Sequence, residues 1–154
     1  MDSESKNLKV EKEKIVNGSM EECWKVLTDF SRETEYWPNI RKIRVIKETD
    51  NTIEREAVVG PQAFGAKTRQ TLTFNSPHTM LVKFEGDGLK GFRDIRLIEI
   101  ESGRTKISVL WELEFGSIPG FVLNIIKSQI TKTTESALTR INEFLIKTRR
   151  REGE

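Results

Sequence analysis

The sequence predicts an α+β fold in which a curved antiparallel sheet of seven strands wraps around one long C-terminal helix. Six strand-like runs follow one another from residue 42 to residue 115, separated by short gaps rich in Gly, Pro, Asn, Asp and Ser. A seventh run, Leu8–Val16, precedes them. After Pro119-Gly120 comes an amphipathic stretch of about 28 residues.

Taken in order, Leu8–Val16 reads as an edge strand with Lys and Glu on its solvent face. Gly18-Ser19 breaks it. Ser19 followed three residues later by Glu22 is a capping-box pattern, which predicts a helix through about Asp29 with Trp24, Leu27 and Cys23 toward the core. A second short helix, about Ser31 to Tyr36, must stop at Trp37-Pro38, because the residue before proline is pushed out of helical geometry. The six runs are Lys42–Glu48, Thr52–Val59, Lys67–Phe74, Met80–Glu85, Phe92–Ile100 and Lys106–Phe115. The last alternates most cleanly, with Ile107, Val109, Trp111, Leu113 and Phe115 on one face. The closing helix, about Phe121 to Thr148, carries Val122, Ile125, Ile126, Ile130, Ala137, Ile141, Phe144 and Leu145 mostly at helical spacings.

With 154 residues the chain has the length of a single domain, set at residues 8–148 with residues 1–7 and 149–154 as flexible tails. A lone cysteine, Cys23, rules out an intrachain disulfide and points to a reducing cytosol. No run approaches the ~18 apolar residues of a membrane span, and the charged start of the chain does not resemble a secretory leader. The net charge of +2 is matched by the last eight residues, where Lys147, Arg149, Arg150 and Arg151 outnumber Glu152 and Glu154. The body is therefore close to neutral, which argues against a nucleic-acid partner.

Several motifs point to chemistry that their context does not support. Gly86-Asp87-Gly88-Leu89-Lys90-Gly91 fits G-x-G-x-x-G, but strand residues follow it where a dinucleotide site needs a helix. His78 is the only histidine and sits in a turn, so neither a triad nor a metal site is expected. Cys23 reads as packing and the basic C-terminal residues as a favourable end to a helix dipole. No cofactor is called for.

A sheet folded around a helix leaves a wedge between them that side chains alone often do not fill. The alternation of the last strand, carried to its neighbours, turns Gln70 and Leu72 inward, with Val82 and Phe84 beside them. Val109, Trp111 and Leu113 complete the wall, and Trp37, Ile126 and Ile130 face it from the helices. One parity of Phe92–Ile100 adds Asp94 and Arg96 as a charged pair at a polar end of the pocket, since charges in an apolar cavity must be paired. The opposite parity puts Ile95 and Leu97 inside and Arg96 in solvent, and a bulge mixes the two. Two apolar loops, one holding Phe64 and the other Ile118 and Phe121, suit ligand admission and transient contact with a membrane. The alternative is that Phe64 and Phe121 fold back as plugs.

The order of elements and several motifs resemble the START-like (SRPBCC) superfamily, which has the helix-grip fold. The stretch Ser19-Met20-Glu21-Glu22-Cys23-Trp24-Lys25-Val26-Leu27-Thr28-Asp29-Phe30 looks like its first helix, and Tyr36-Trp37-Pro38 like the element after it. Gly103-Arg104-Thr105-Lys106-Ile107 looks like the turn into its last strand. Ile118-Pro119-Gly120-Phe121 is similar to the lead-in to the last helix in the polyketide cyclase and coenzyme-Q-binding branch. The resemblance spans about residues 8–146 and implies a cavity for an apolar molecule such as a lipid, an isoprenoid quinone or a polycyclic aromatic. The expected role is transport, sequestration or presentation without catalysis. Two alternatives stand beside it: a cyclase/dehydratase-type enzyme using Asp94 or Arg96 as acid, base or oxyanion partner, and a protein-interaction module with a filled core. The oligomeric state is not legible.

Overall fold

A computed structural model of the chain describes residues 6–60, 66–86 and 88–152. Strand β1 (Lys6–Val16) ends at Asn17-Gly18, and α1 (Met20–Leu27) begins on the expected capping box. The Ser19 Oγ accepts from the Glu22 backbone N–H at 3.1 Å, and the Glu22 carboxylate accepts from the Ser19 N–H at 2.9 Å. These bonds satisfy helix donors that otherwise lack partners. The helix stops two residues earlier than expected, where the Thr28 hydroxyl donates to the Trp24 carbonyl at 2.7 Å. The second helical segment splits into a 3₁₀ turn (Phe30–Arg32) and one turn of α-helix, α2 (Glu33–Tyr36), which halts before Pro38 as the sequence requires.

The sheet follows as β2 (Ile40–Glu48), β3 (Thr52–Val59), β4 (Ala66–Asn75), β5 (Thr79–Gly86), β6 (Leu89–Glu101) and β7 (Arg104–Phe115). Its order is β1-β7-β6-β5-β4-β3-β2 with every neighbouring pair antiparallel, so each connection from β2 to β7 is a hairpin. Only β1 pairs out of sequence order, beside β7. Two register shifts in β2, one flanking Lys42 with its φ of 52°, bend that edge. Glycine is obligatory at Gly91, where φ is 148° and a Cβ would lie 2.1 Å from the Glu112 carbonyl oxygen.

The final helix, α3 (Gly120–Glu152), lies against β1. Its buried residues Ala137, Leu138, Ile141 and Leu145 join the inner face of the sheet and Cys23, Val26 and Leu27 of α1 in one hydrophobic core. Residues 6–7 and 149–152, expected as tails, belong to β1 and α3; Asn7 pairs with Glu114 and Arg149 reaches Glu22 at 3.5 Å. Among the described residues, no helix is long and apolar enough to cross a membrane, and no group of acidic, His or Cys side chains is arranged to hold a metal.

Candidate functional site

Residues paired across antiparallel strands share a face, so the interior can be followed rung by rung. One rung runs Val10, Trp111, Arg93, Val82, Leu72, Ile53, and all six are buried. The next runs Leu8, Leu113, Gly91, Phe84, Gln70, Arg55. Gln70, Leu72, Val82, Phe84, Val109, Trp111 and Leu113 therefore all point inward, as their alternation predicts.

Asp94 and Arg96 do not. A plain hairpin closed by Glu101 and Arg104 would set Asp94 opposite Trp111. The extra residue Ile100 forms a bulge between β6 and β7 and slips the register by one, so Arg93 takes that place. Asp94 and Arg96 pair with each other on the outer face at 3.0 Å, with the arginine side chain 65% exposed. This removes them from the pocket and from any acid, base or oxyanion role within it.

The inward charges lie elsewhere. Arg55 is 1% exposed and forks onto Glu33 of α2, donating from Nη1 at 2.6 Å and from Nη2 at 2.7 Å. Its Nε donates to Gln70 Oε1 at 2.8 Å, and the Gln70 amide donates onward to Thr68 Oγ1 at 3.2 Å. The series of bonds ends where the Thr68 hydroxyl donates to the Ala57 carbonyl. This network ties α2 to the sheet. Its signal is present in the sequence, since Ile53, Arg55, Ala57 and Val59 share one parity of β3.

Arg93 is the second buried arginine, and it is packed against two aromatic rings. Its guanidinium carbon lies 4.6 Å from the Trp37 ring centre and 5.4 Å from that of Trp111. Trp111 stacks on Phe84 at 5.8 Å and donates from its indole N–H to Thr134 of α3 at 3.0 Å. Cation–π attraction offsets part of the cost of burying Arg93. Two of its nitrogens, Nε and Nη1, are nonetheless buried with no hydrogen-bond partner among the described residues. Burial draws its pKa down to about 10, with Glu33 acting against that shift and Arg55 with it. Cys23 is pushed up to about 11, chiefly by burial, as befits a packing residue.

Beside this filled centre lies a cavity of about 560 Å³ between the sheet and the N-terminal half of α3. Val59, Leu89, Leu113 and Phe115 form its sheet wall, and Ile126 and Ile130 its helix wall. Pro38 and Asn39, directly after Trp37, close a third side, while Gln129, Lys132 and Thr133 stand at the helix edge. Arg41, also in the lining, donates to the Gly60 carbonyl at 3.1 Å, and the buried Asn39 Oδ1 has no hydrogen-bond partner. A depression of about 550 Å³ on the sheet near Gly91 is lined largely by Lys9, Lys83, Glu85, Lys90, Glu112 and Glu114. It is a gap among solvated side chains.

Of the residues expected to line a pocket, Leu113, Ile126 and Ile130 do so, while Trp37, Gln70, Leu72, Val82, Phe84, Val109 and Trp111 are packed core. Ile118 is partly buried, whereas Phe121 is 69% exposed, so it does not plug the interior. Phe64 lies outside the described residues.

A curved sheet gripping a long helix, with a cavity under that helix, defines a helix-grip protein of the START-like kind. The chain belongs to the family described as polyketide cyclase / dehydrase and lipid transport, which residues 7–144 match. Solved structures share the fold at low identity. A START superfamily protein from Mycobacterium smegmatis is 16% identical, with a TM-score of 0.73 over 89% of this chain and 98% of that one. The Zhui aromatase/cyclase from Streptomyces sp. R1128 is 12% identical, with a TM-score of 0.63 over 88% of this chain and 87% of that one. Norcoclaurine synthase from Thalictrum flavum, solved with dopamine and hydroxybenzaldehyde, is 15% identical, with a TM-score of 0.67 over 93% of this chain and 88% of that one. No curated protein matches the sequence.

Proposed function

We propose that this chain binds one apolar small molecule in the cavity under α3, for transport, sequestration or presentation. The observation that carries the reading is the cavity itself, about 560 Å³ with apolar walls on both the sheet and the helix. That volume falls within the usual range of small-molecule sites, roughly 300–1,000 Å³. Its polar groups, Asn39, Arg41, Gln129, Lys132 and Thr133, hold and orient a ligand. Phe121 and Ile125 stand exposed one turn apart on α3 beside the lining residue Ile126, a surface suited to brief contact with a membrane during loading. The single buried cysteine fits a cytosolic setting.

Calorimetric titration with methyl 2-naphthoate and methyl decanoate tests the reading. The expected result is saturable binding near one to one. Ile126→Trp, which fills the cavity from a partly buried position, should weaken it about tenfold or more with little change in melting temperature. Flat titrations with both esters and with the acids they derive from would remove the cavity from function.

A further inference from the structure

The interior holds more positive charge than negative. Among the described residues, the buried charged side chains are Glu33, Arg55 and Arg93. Both oxygens of Glu33 are taken by Arg55, at 2.6 and 2.7 Å. Among the described residues, Arg93 is left with two nitrogens without a hydrogen-bond partner, and its compensation is the rings of Trp37 and Trp111 and the more distant pull of Glu33. An isolated buried charge is costly, and an aromatic ring is only a weak acceptor for an N–H. If packing were all that the position required, an apolar side chain would serve it better.

Arg93 also lies close to the cavity along the chain and across the sheet. The inward column of β6 runs Leu89, Gly91, Arg93. Leu89 is cavity wall, Gly91 places no side chain between the two, and Arg93 follows. On β7 the matching column steps from Leu113 in the cavity wall to Trp111 beside the guanidinium. Trp37, also beside Arg93, is followed directly by the lining residues Pro38 and Asn39. The cation thus lies just beyond the cavity lining, two inward positions along β6 from Leu89, with aromatic rings beside it.

We infer that Arg93 anchors an acidic oxygen of the ligand, a carboxylate or an ionised enol or phenol carried on an apolar body that occupies the cavity. This rests on the cavity reading above and adds a charge requirement to it. The fork of the guanidinium suits an oxygen acceptor in the plane of its N–H groups. An aromatic acid and an aliphatic acid share this chemistry, and the test separates them.

Wild-type protein is titrated at pH 7.4 with 2-naphthoate against its methyl ester and with decanoate against its methyl ester. Each acid–ester pair differs little in bulk and fully in charge. The expected result is that at least one acid binds roughly tenfold or more tighter than its ester. A preference confined to the naphthoate pair marks an aromatic acid as the ligand class, and one confined to the decanoate pair marks a fatty acid. Arg93→Met should abolish the preference, leave ester affinity within about twofold, and melt at or above the wild-type temperature. Arg93→Lys, which keeps the charge, should retain part of the preference. Equal binding of acid and ester by wild-type protein overturns the Arg93 assignment and leaves the cavity reading standing. Weakening of acid and ester alike by Arg93→Met overturns the assignment in the same way. Binding of neither member of either pair removes both readings.

Discussion

The clearest energetic contrast at the residue scale is between two arginine–carboxylate pairs, one buried and one exposed. Arg55 and Glu33 are 1% and 5% exposed and joined by two short hydrogen bonds. Truncating one partner strands the other charge, and Glu33→Ala would leave Arg55 and Arg93 together in the interior with no anion. That single change should cost roughly 3–5 kcal/mol, while Glu33→Met combined with Arg55→Met should be close to neutral. Asp94→Ala, which breaks the pair on the outer face, should cost less than about 1 kcal/mol. Chemical denaturation of the four proteins decides it, and a double variant as unstable as Glu33→Ala or more so would show that the ion pair is not a unit. Sequence pattern alone offers Asp94 and Arg96 for the buried role on one parity and leaves the other parity open. Along β6, Phe92, Ile98 and Ile100 support one parity and Leu89, Ile95 and Leu97 the other, so apolar content cannot choose between them. The bulge at Ile100 decides it, and a bulge depends on how two strands meet.

At the scale of elements, the local code is largely legible where it is chemical. The Ser19–Glu22 box and the stop before Pro38 occur where those residues demand them. Strand identity is legible too, because period-two alternation survives in β3, β4, β5 and β7. What α3 does along its length is not. Its C-terminal half buries Ala137, Leu138, Ile141 and Leu145, whereas between residues 120 and 130 only Ile130 is buried. Phe121 and Ile125 are 69% and 50% exposed, a cost in water that contact with lipid would relieve. Phe121→Ser with Ile125→Ser should therefore slow transfer of a fluorescent fatty acid from vesicles. It should leave the melting temperature nearly unchanged, since exposed side chains contribute little to the core. Lost stability with normal transfer would mean that these residues pack in solution and have no part in loading.

For the whole molecule, the sheet, the helix and a space between them follow from the order of elements, but the position of that space does not. The inward rows suggest a cavity at mid-sheet, around Trp111 and Phe84. Instead these two rings stack, Trp111 bonds to Thr134 on α3, and Arg93 and Trp37 pack beside them. Whether facing side chains meet or leave a void depends on register and on volumes summed across several strands. The void that remains lies toward Val59, Leu89 and Phe115, beneath the less buried half of α3. This arrangement predicts how ligand should change the stability of the fold. The half of α3 from Val122 to Ile130 has few buried apolar contacts, so its amides should exchange through local opening, while those from Ala137 to Leu145 should exchange only in larger openings of the core. A ligand held between Ile126, Ile130 and Leu113 binds the closed form, and by mass action it should suppress every opening that breaks the site, the local one included. At about 100 times its dissociation constant, it should slow exchange over residues 122–130 by up to roughly a hundredfold, and over residues 137–145 by the same factor where the larger opening takes the site with it. Hydrogen-exchange mass spectrometry with and without ligand measures this directly. Without ligand, equal exchange in both halves of the helix would place the opening in the whole domain, and no protection of the first half by ligand would place the ligand somewhere other than under α3.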